Sequence, residues 1–135
     1  MAFSDYFENK VIDHMLRGES FTPPSTIYIA LFTADTGLEE NNPTSEVSGG
    51  GYARQAVTLT AASGGSTSNS TDIEFPEATA SWGTITHAAI VDHASNTDWG
   101  TDVNVLVWGA LDASKTIDAG DIVRFKAGDI TFTLD

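Results

Sequence analysis

Glu46-Val47-Ser48-Gly49-Gly50-Gly51-Tyr52-Ala53-Arg54-Gln55-Ala56-Val57 passes from a triple glycine straight into an alternating segment. Alternation with period two is the mark of a strand. The chain is therefore expected to enter a strand over Tyr52–Leu59 directly from a polar loop. No helix follows Gly49-Gly50-Gly51, so the glycines offer no helix N-terminus to a phosphate and read as a flexible hinge or bulge. On a regular strand Tyr52, Arg54 and Ala56 share one face, and neither face is purely apolar. Tyr and Arg are residue types that supply hot spots at protein interfaces. Arg54 therefore has two open readings: contact with a partner, or an intramolecular pair with one of nineteen acidic residues.

Upstream, Asp35 to Gly51 is a polar stretch without periodicity, and a loop of that length is usually functional or mobile. Before it, Thr26-Ile27-Tyr28-Ile29-Ala30-Leu31-Phe32 is almost continuously apolar. That pattern predicts an inner strand covered on both faces, with a helix as a candidate cover for one. Pro23-Pro24 separates this strand from an amphipathic helix over 4–17. Ser4 is placed to cap that helix, and Asp5 and Glu8 lie in or near its first turn. Phe3, Phe7, Val11 and Met15 recur every fourth residue, Ile12 and Leu16 widen the stripe, and Gly18 stops it.

Downstream, strand signals follow at Ile73–Phe75, Gly83–Val91, Val103–Leu111, Lys115–Ile117, Ile122–Phe125 and Ile130–Leu134, with a Gly/Ser/Thr-rich connection from Ala62 to Thr71. Ala119-Gly120-Asp121-Ile122 recurs as Ala127-Gly128-Asp129-Ile130, which predicts a tight meander closing in a C-terminal strand. The fold expected is mainly β: an antiparallel β-sandwich or small barrel of about seven short strands with one N-terminal amphipathic α-helix. Residues 1–135 form a single domain in this reading, with the β-sandwich over 26–135 and the long loop at 35–51.

Composition excludes several functions. A formal charge of −13 repels phosphate backbones and anionic lipid, so no nucleic acid and no membrane partner is expected. The absence of cysteine rules out disulfides and thiolate metal sites. The first thirty residues hold no long apolar run, so neither signal peptide nor membrane span is expected. His14, His87 and His93 match no zinc signature. The loop acids Asp35, Glu39, Glu40 and Glu46 match no EF-hand register and read as a solvated loop. No nucleophile elbow, metalloprotease helix or phosphate-binding loop occurs. The expectation is no enzyme, no catalytic residue, no cofactor and no metal. Trp108 reads as core, while Trp82 and Trp99 each precede glycine at a loop-to-strand junction. Each reads either as a plug for the end of the sandwich or as a contact surface. An exposed one would suit a carbohydrate-binding module.

The order and texture of several segments resemble a family of small structural proteins of tailed bacteriophages, described as tail-fibre-like, minor tail or head-decoration proteins. The resembling pieces are Met1–Lys10, Tyr28–Thr33, Glu46–Val57, Trp82–His87 and the strands that follow Ala119-Gly120-Asp121. The insert Asp35–Pro43 and the segment Asp92–Asn104 stand outside it. The resemblance implies a virion component made in the host cytoplasm, without enzymatic activity, bound to other phage virion proteins such as major capsid or tail proteins. The leading expectation is a capsid decoration or cement protein in a symmetric homo-oligomer, a trimer favoured. A tail or tail-fibre component contacting the host is the alternative, with the carbohydrate-binding module as a further one. Phe3, Tyr6, Phe7, Glu46, Tyr52 and Arg54 are the candidate interface residues.

Overall fold

The computed structural model describes residues 1–134. A two-residue strand β1 (Ala2–Phe3) leads into helix α1 (Asp5–Arg17), and the next strands are β2 (Ile27–Phe32) and β3 (Gln55–Val57). Then come β4 (Ser66–Ser68), β5 (Ile73–Glu74), β6 (Gly83–Val91), β7 (Val105–Ile117), β8 (Arg124–Phe125) and β9 (Thr131–Thr133). Every strand pairing is antiparallel. One five-stranded sheet runs in the order β1-β7-β6-β2-β3, and the pairs β4-β9 and β5-β8 form a second, broken layer. The arrangement is sandwich-like, and no barrel closes among the described residues.

The inner position of β2 follows from its apolar run. Ile29 and Leu31 belong to the core between the two layers, and Ala30 and Phe32 to a second cluster on the opposite face. Both faces are covered, and the helix contributes to the first only through its base, Tyr6 and Phe7. The second face is sealed by the stretch expected to be a mobile loop. Leu38 is fully buried there, together with Val103 and Val105. The loop is also tied by hydrogen bonds: Asn41 Oδ1 accepts from the Val105 N–H at 2.7 Å, and the Val47 N–H donates to the Leu31 carbonyl at 3.0 Å. Gly37 has a φ of 79°, and a Cβ there would fall 2.0 Å from the Asn42 carbonyl oxygen. Loop 35–51 is a fixed cover because the outer face of an inner strand must lose its water to something.

Strand boundaries depart from the expected ones in physically simple ways. Val103–Leu111 and Lys115–Ile117 merge into β7, since the polar interruption at Asp112–Ser114 is absorbed where the β6–β7 register shifts between Ile85 and His87. The Gly/Ser-rich connection contains β4, which its composition hides. With β1 added as well, the described residues hold nine strands. The expected C-terminal meander is not one: β7, β8 and β9 lie in three different sheets. The first Ala-Gly-Asp turn instead carries the chain from the five-stranded sheet to the second layer, and the second turn links β8 to β9 within that layer. In each, the Asp carboxylate accepts the N–H three residues earlier at 2.8 Å, while the Gly N–H donates to a distant carbonyl, that of Ala78 or Asn69. Asn69 completes the clamp: its side chain bonds Thr71, Lys126 and Ile130, and it is 1% exposed.

The helix forms as its local signals require. Ser4 Oγ accepts the Phe7 N–H at 3.2 Å, the Gly18 N–H donates to the Asp13 carbonyl, and Arg17 pairs with Asp13 at 3.0 Å. Ser4 is also fully buried, and its hydroxyl donates to the Val105 carbonyl. Ser4→Ala removes both bonds at once. It is expected to lower stability by about 1–2 kcal/mol, the upper part of the range for a lost cap, as read from a shifted urea midpoint with an unchanged slope.

Candidate functional site

The N-terminal helix divides into a docked base and a free end. At the base, Phe3 stacks on Phe132 with centroids 5.1 Å apart and meets the edge of Phe7 at 4.7 Å. The Asp5 N–H donates to the Glu39 carbonyl at 2.9 Å. Tyr6 is half-buried, and burial, with a lesser contribution from the Asp92 carboxylate, raises its phenol above the ordinary tyrosine pKa. Phe3, Tyr6 and Phe7 therefore spend much of their surface on their own fold. Two turns further on the picture inverts, with Ile12, Met15 and Leu16 exposed by 51, 70 and 80%. No residue of α1 is fully buried. An apolar groove of about 400 Å3, lined by Phe3, Phe7, Phe21, Pro23, Leu59 and Phe132 among others, lies at the base of this stripe. The recurrence at every fourth residue showed the stripe. It gave no sign that half of it would stay uncovered.

Glu46, Tyr52 and Arg54 do converge, but inward. β3 begins at Gln55, so the alternation expected over residues 52–54 does not apply to them. Arg54 is 7% exposed, and its guanidinium grips Glu46 with two bonds of 2.7 Å, Nε to Oε1 and one terminal nitrogen to Oε2. The other terminal nitrogen donates to the His93 carbonyl at 2.9 Å. Of the two readings of Arg54, the geometry shows the intramolecular pair. The Tyr52 hydroxyl donates to Glu46 at 2.9 Å and accepts the Leu31 N–H at 3.0 Å. Burial first, and the adjacent Glu46 carboxylate second, push this phenol far above the usual tyrosine range, so it stays a donor.

The triple glycine is correspondingly a packed turn. Gly50 has a φ of 58°, its carbonyl accepts the Trp82 indole N–H at 2.9 Å, and a Cβ there would lie 2.9 Å from that nitrogen. Trp82 is a plug, 4% exposed, with its ring against Tyr52 and Phe75. Trp108, expected in the core, is half-buried and donates its indole N–H to Glu39 at 2.8 Å. Trp99 is also half-buried, with the Arg54 guanidinium carbon 4.9 Å from its ring centre.

The histidines act locally. His14 Nδ1 meets the Glu19 carbonyl and His87 Nδ1 the Thr86 hydroxyl, each at 2.8 Å, while His93 Nδ1 accepts the N–H groups of Ser95 and Asn96. Of the acids named for calcium, Glu46 is consumed by Arg54. Glu39 instead gathers with Asp5 and Glu8, their oxygens within 4.8 Å of one another. That trio sits at the helix N-terminus, where carboxylates are favoured without any ion. Among the described residues no helix is long and apolar enough to cross a membrane.

The site thus comprises a half-uncovered amphipathic helix at one edge of the sheet and a rigid buried ion pair at the other. No curated protein matches the chain. A family described as podophage GP4 fiber I protein gp80 matches it over residues 2–133, which takes in the helix, both layers and nearly all of the segments quoted for the resemblance. The chain therefore belongs to the podophage GP4 fiber I protein gp80 family, phage virion structural proteins of the tail-fibre-like kind.

Proposed function

We propose that this protein is a non-enzymatic fibre component of a phage particle, held in a homo-oligomer by its N-terminal helix and bound through that assembly to a neighbouring virion protein. The carrying observation is the exposed stripe Ile12, Met15 and Leu16. Charge supports a second copy of this chain as the first occupant. Over Asp5–Arg17 three acids face two bases, which leaves −1 of the −13 on the helix. Copies repel almost everywhere except along this near-neutral, apolar face. Closed symmetry suits such a contact, and a trimer gathers three stripes around one axis. Capsid decoration is the second reading and would use the same helix. The family description names a fibre, which favours the fibre reading.

Met15→Asp combined with Leu16→Asp tests the proposal. Both side chains are exposed, so the melting temperature is expected to stay nearly unchanged. Sedimentation is expected to show the wild type as a trimer and the variant as a monomer, with the variant lost from particles. A monomeric wild type, or an oligomer indifferent to the two aspartates, would remove the helix from this role. Density located by imaging on the tail supports the fibre reading, and density on the shell supports decoration.

A further inference from the structure

We infer that a cleft at the β3 edge of the sheet, bounded by Trp99 and floored by the Glu46–Arg54 pair, binds a neutral sugar ring. The cleft measures about 390 Å3, within the usual range for small-ligand sites. Its lining comes from residues between 43 and 54, just before β3, and between 94 and 99, after β6, whereas α1 follows β1; β1 and β3 are the two opposite edges of the five-stranded sheet. A particle protein held by its helix would therefore present the cleft away from the attachment.

Three properties select the ligand. Trp99 and Tyr52 are the aromatic residues of the lining, both half-buried, and the Trp99 indole offers an apolar surface for the C–H face of a sugar. The floor supplies fixed polar groups. Arg54 commits three of its five N–H donors, two to Glu46 and one to His93, leaving one on each terminal nitrogen. Ser48, Ser95 and Thr97 add exposed hydroxyls at the rim. The charge of the lining cancels, because Glu46 and Arg54 are its two charged residues and neutralise each other. On a chain of net −13, anionic sugars are repelled and no unpaired carboxylate draws a cation into the cleft.

The rim is preorganised. The His93 carbonyl is held by Arg54, its ring accepts the N–H groups of Ser95 and Asn96 at 3.1 and 2.9 Å, and Asn96 Oδ1 accepts the Asp98 N–H at 2.7 Å. A ligand then needs little ordering of the protein on binding.

The test is an array of neutral hexose, N-acetylhexosamine and deoxyhexose oligosaccharides beside sialylated and uronate ones, probed with the full chain. At least one neutral glycan is expected to bind, with titration showing a loss of tenfold or more in Trp99→Ala. Ser95→Trp, which fills the cleft from an exposed rim position, is expected to give the same loss without disturbing the fold, and it decides the matter if Trp99→Ala unfolds. Met15→Asp with Leu16→Asp should leave binding intact, which separates this site from the attachment helix. An array without neutral binders, a preference for the anionic glycans, or binding that survives Ser95→Trp would overturn the inference.

Discussion

Arg54→Ala is expected to lower the free energy of unfolding by about 3–5 kcal/mol, the cost of breaking a buried ion pair by removing one partner. The size follows from burial: the side chains of Arg54 and Glu46 are 3 and 13% exposed. Without the guanidinium, Glu46 keeps only the Tyr52 hydroxyl, and the His93 carbonyl loses its donor. Adding Glu46→Gln to the variant removes the stranded charge but retains an acceptor for Tyr52. The double variant is expected to recover stability, with a coupling on the order of 0.5–3 kcal/mol between the two sites. Arg124→Ala is the control. Arg124 pairs with Glu74 at the surface, with exposures of 54 and 49%, and its loss is expected to cost less than about 1 kcal/mol. Urea midpoints measure all three. If Arg54→Ala costs no more than Arg124→Ala, the pair is not the keystone described here.

Leu38→Ala is expected to destabilise by about 2–5 kcal/mol, as for a fully buried leucine in a core. Leu38 lies within a stretch whose composition reads as solvated loop, where a truncation usually changes stability by no more than about 0.5 kcal/mol. The two values are far enough apart to decide whether loop 35–51 is a structural layer. Amide exchange gives a second readout. The Val47 N–H, bonded to the Leu31 carbonyl, should open only with the whole sheet. Fast exchange there, together with a neutral Leu38→Ala, would restore a swinging loop.

The parts of the fold legible in the sequence are those decided by near neighbours. Ser4, Gly18 and the Asp13–Arg17 spacing act within five residues of their partners, and the helix came out as read. The apolar run of β2 announced two covered faces, since no other environment suits it. The nature of the cover was hidden because loop 35–51 contributes isolated residues, Leu38 and Val47, rather than a periodic pattern. Asn41 and Asn69 were equally silent. Each looks like a turn residue, and only partners more than sixty positions away, at Val105 and Ile130, make them clamps. The candidate site shows the same division. Glu46, Tyr52 and Arg54 were recognisable as a group from their proximity in the chain. Whether Arg54 faced a partner or a carboxylate depended on Trp99 and His93, which arrive from the segment after β6, about forty residues on.

The pairing of residues 2 and 3 with the start of β7 has a consequence for how the protein is made. Ala2 and Phe3 align with Trp108 and Val107, and Ser4 bonds Val105 and Leu106. β4 likewise waits for β9, with Ser68 opposite Thr131. Contacts so distant in the chain close late and slow folding. A growing chain can wind α1 early, yet the helix has nowhere to dock until residue 108 has been synthesised. A truncated or misfolded copy therefore displays the helix on a loose tether, without the angle at which an intact copy presents it. Assembly that depends on that angle would discriminate against incomplete subunits with no separate checkpoint.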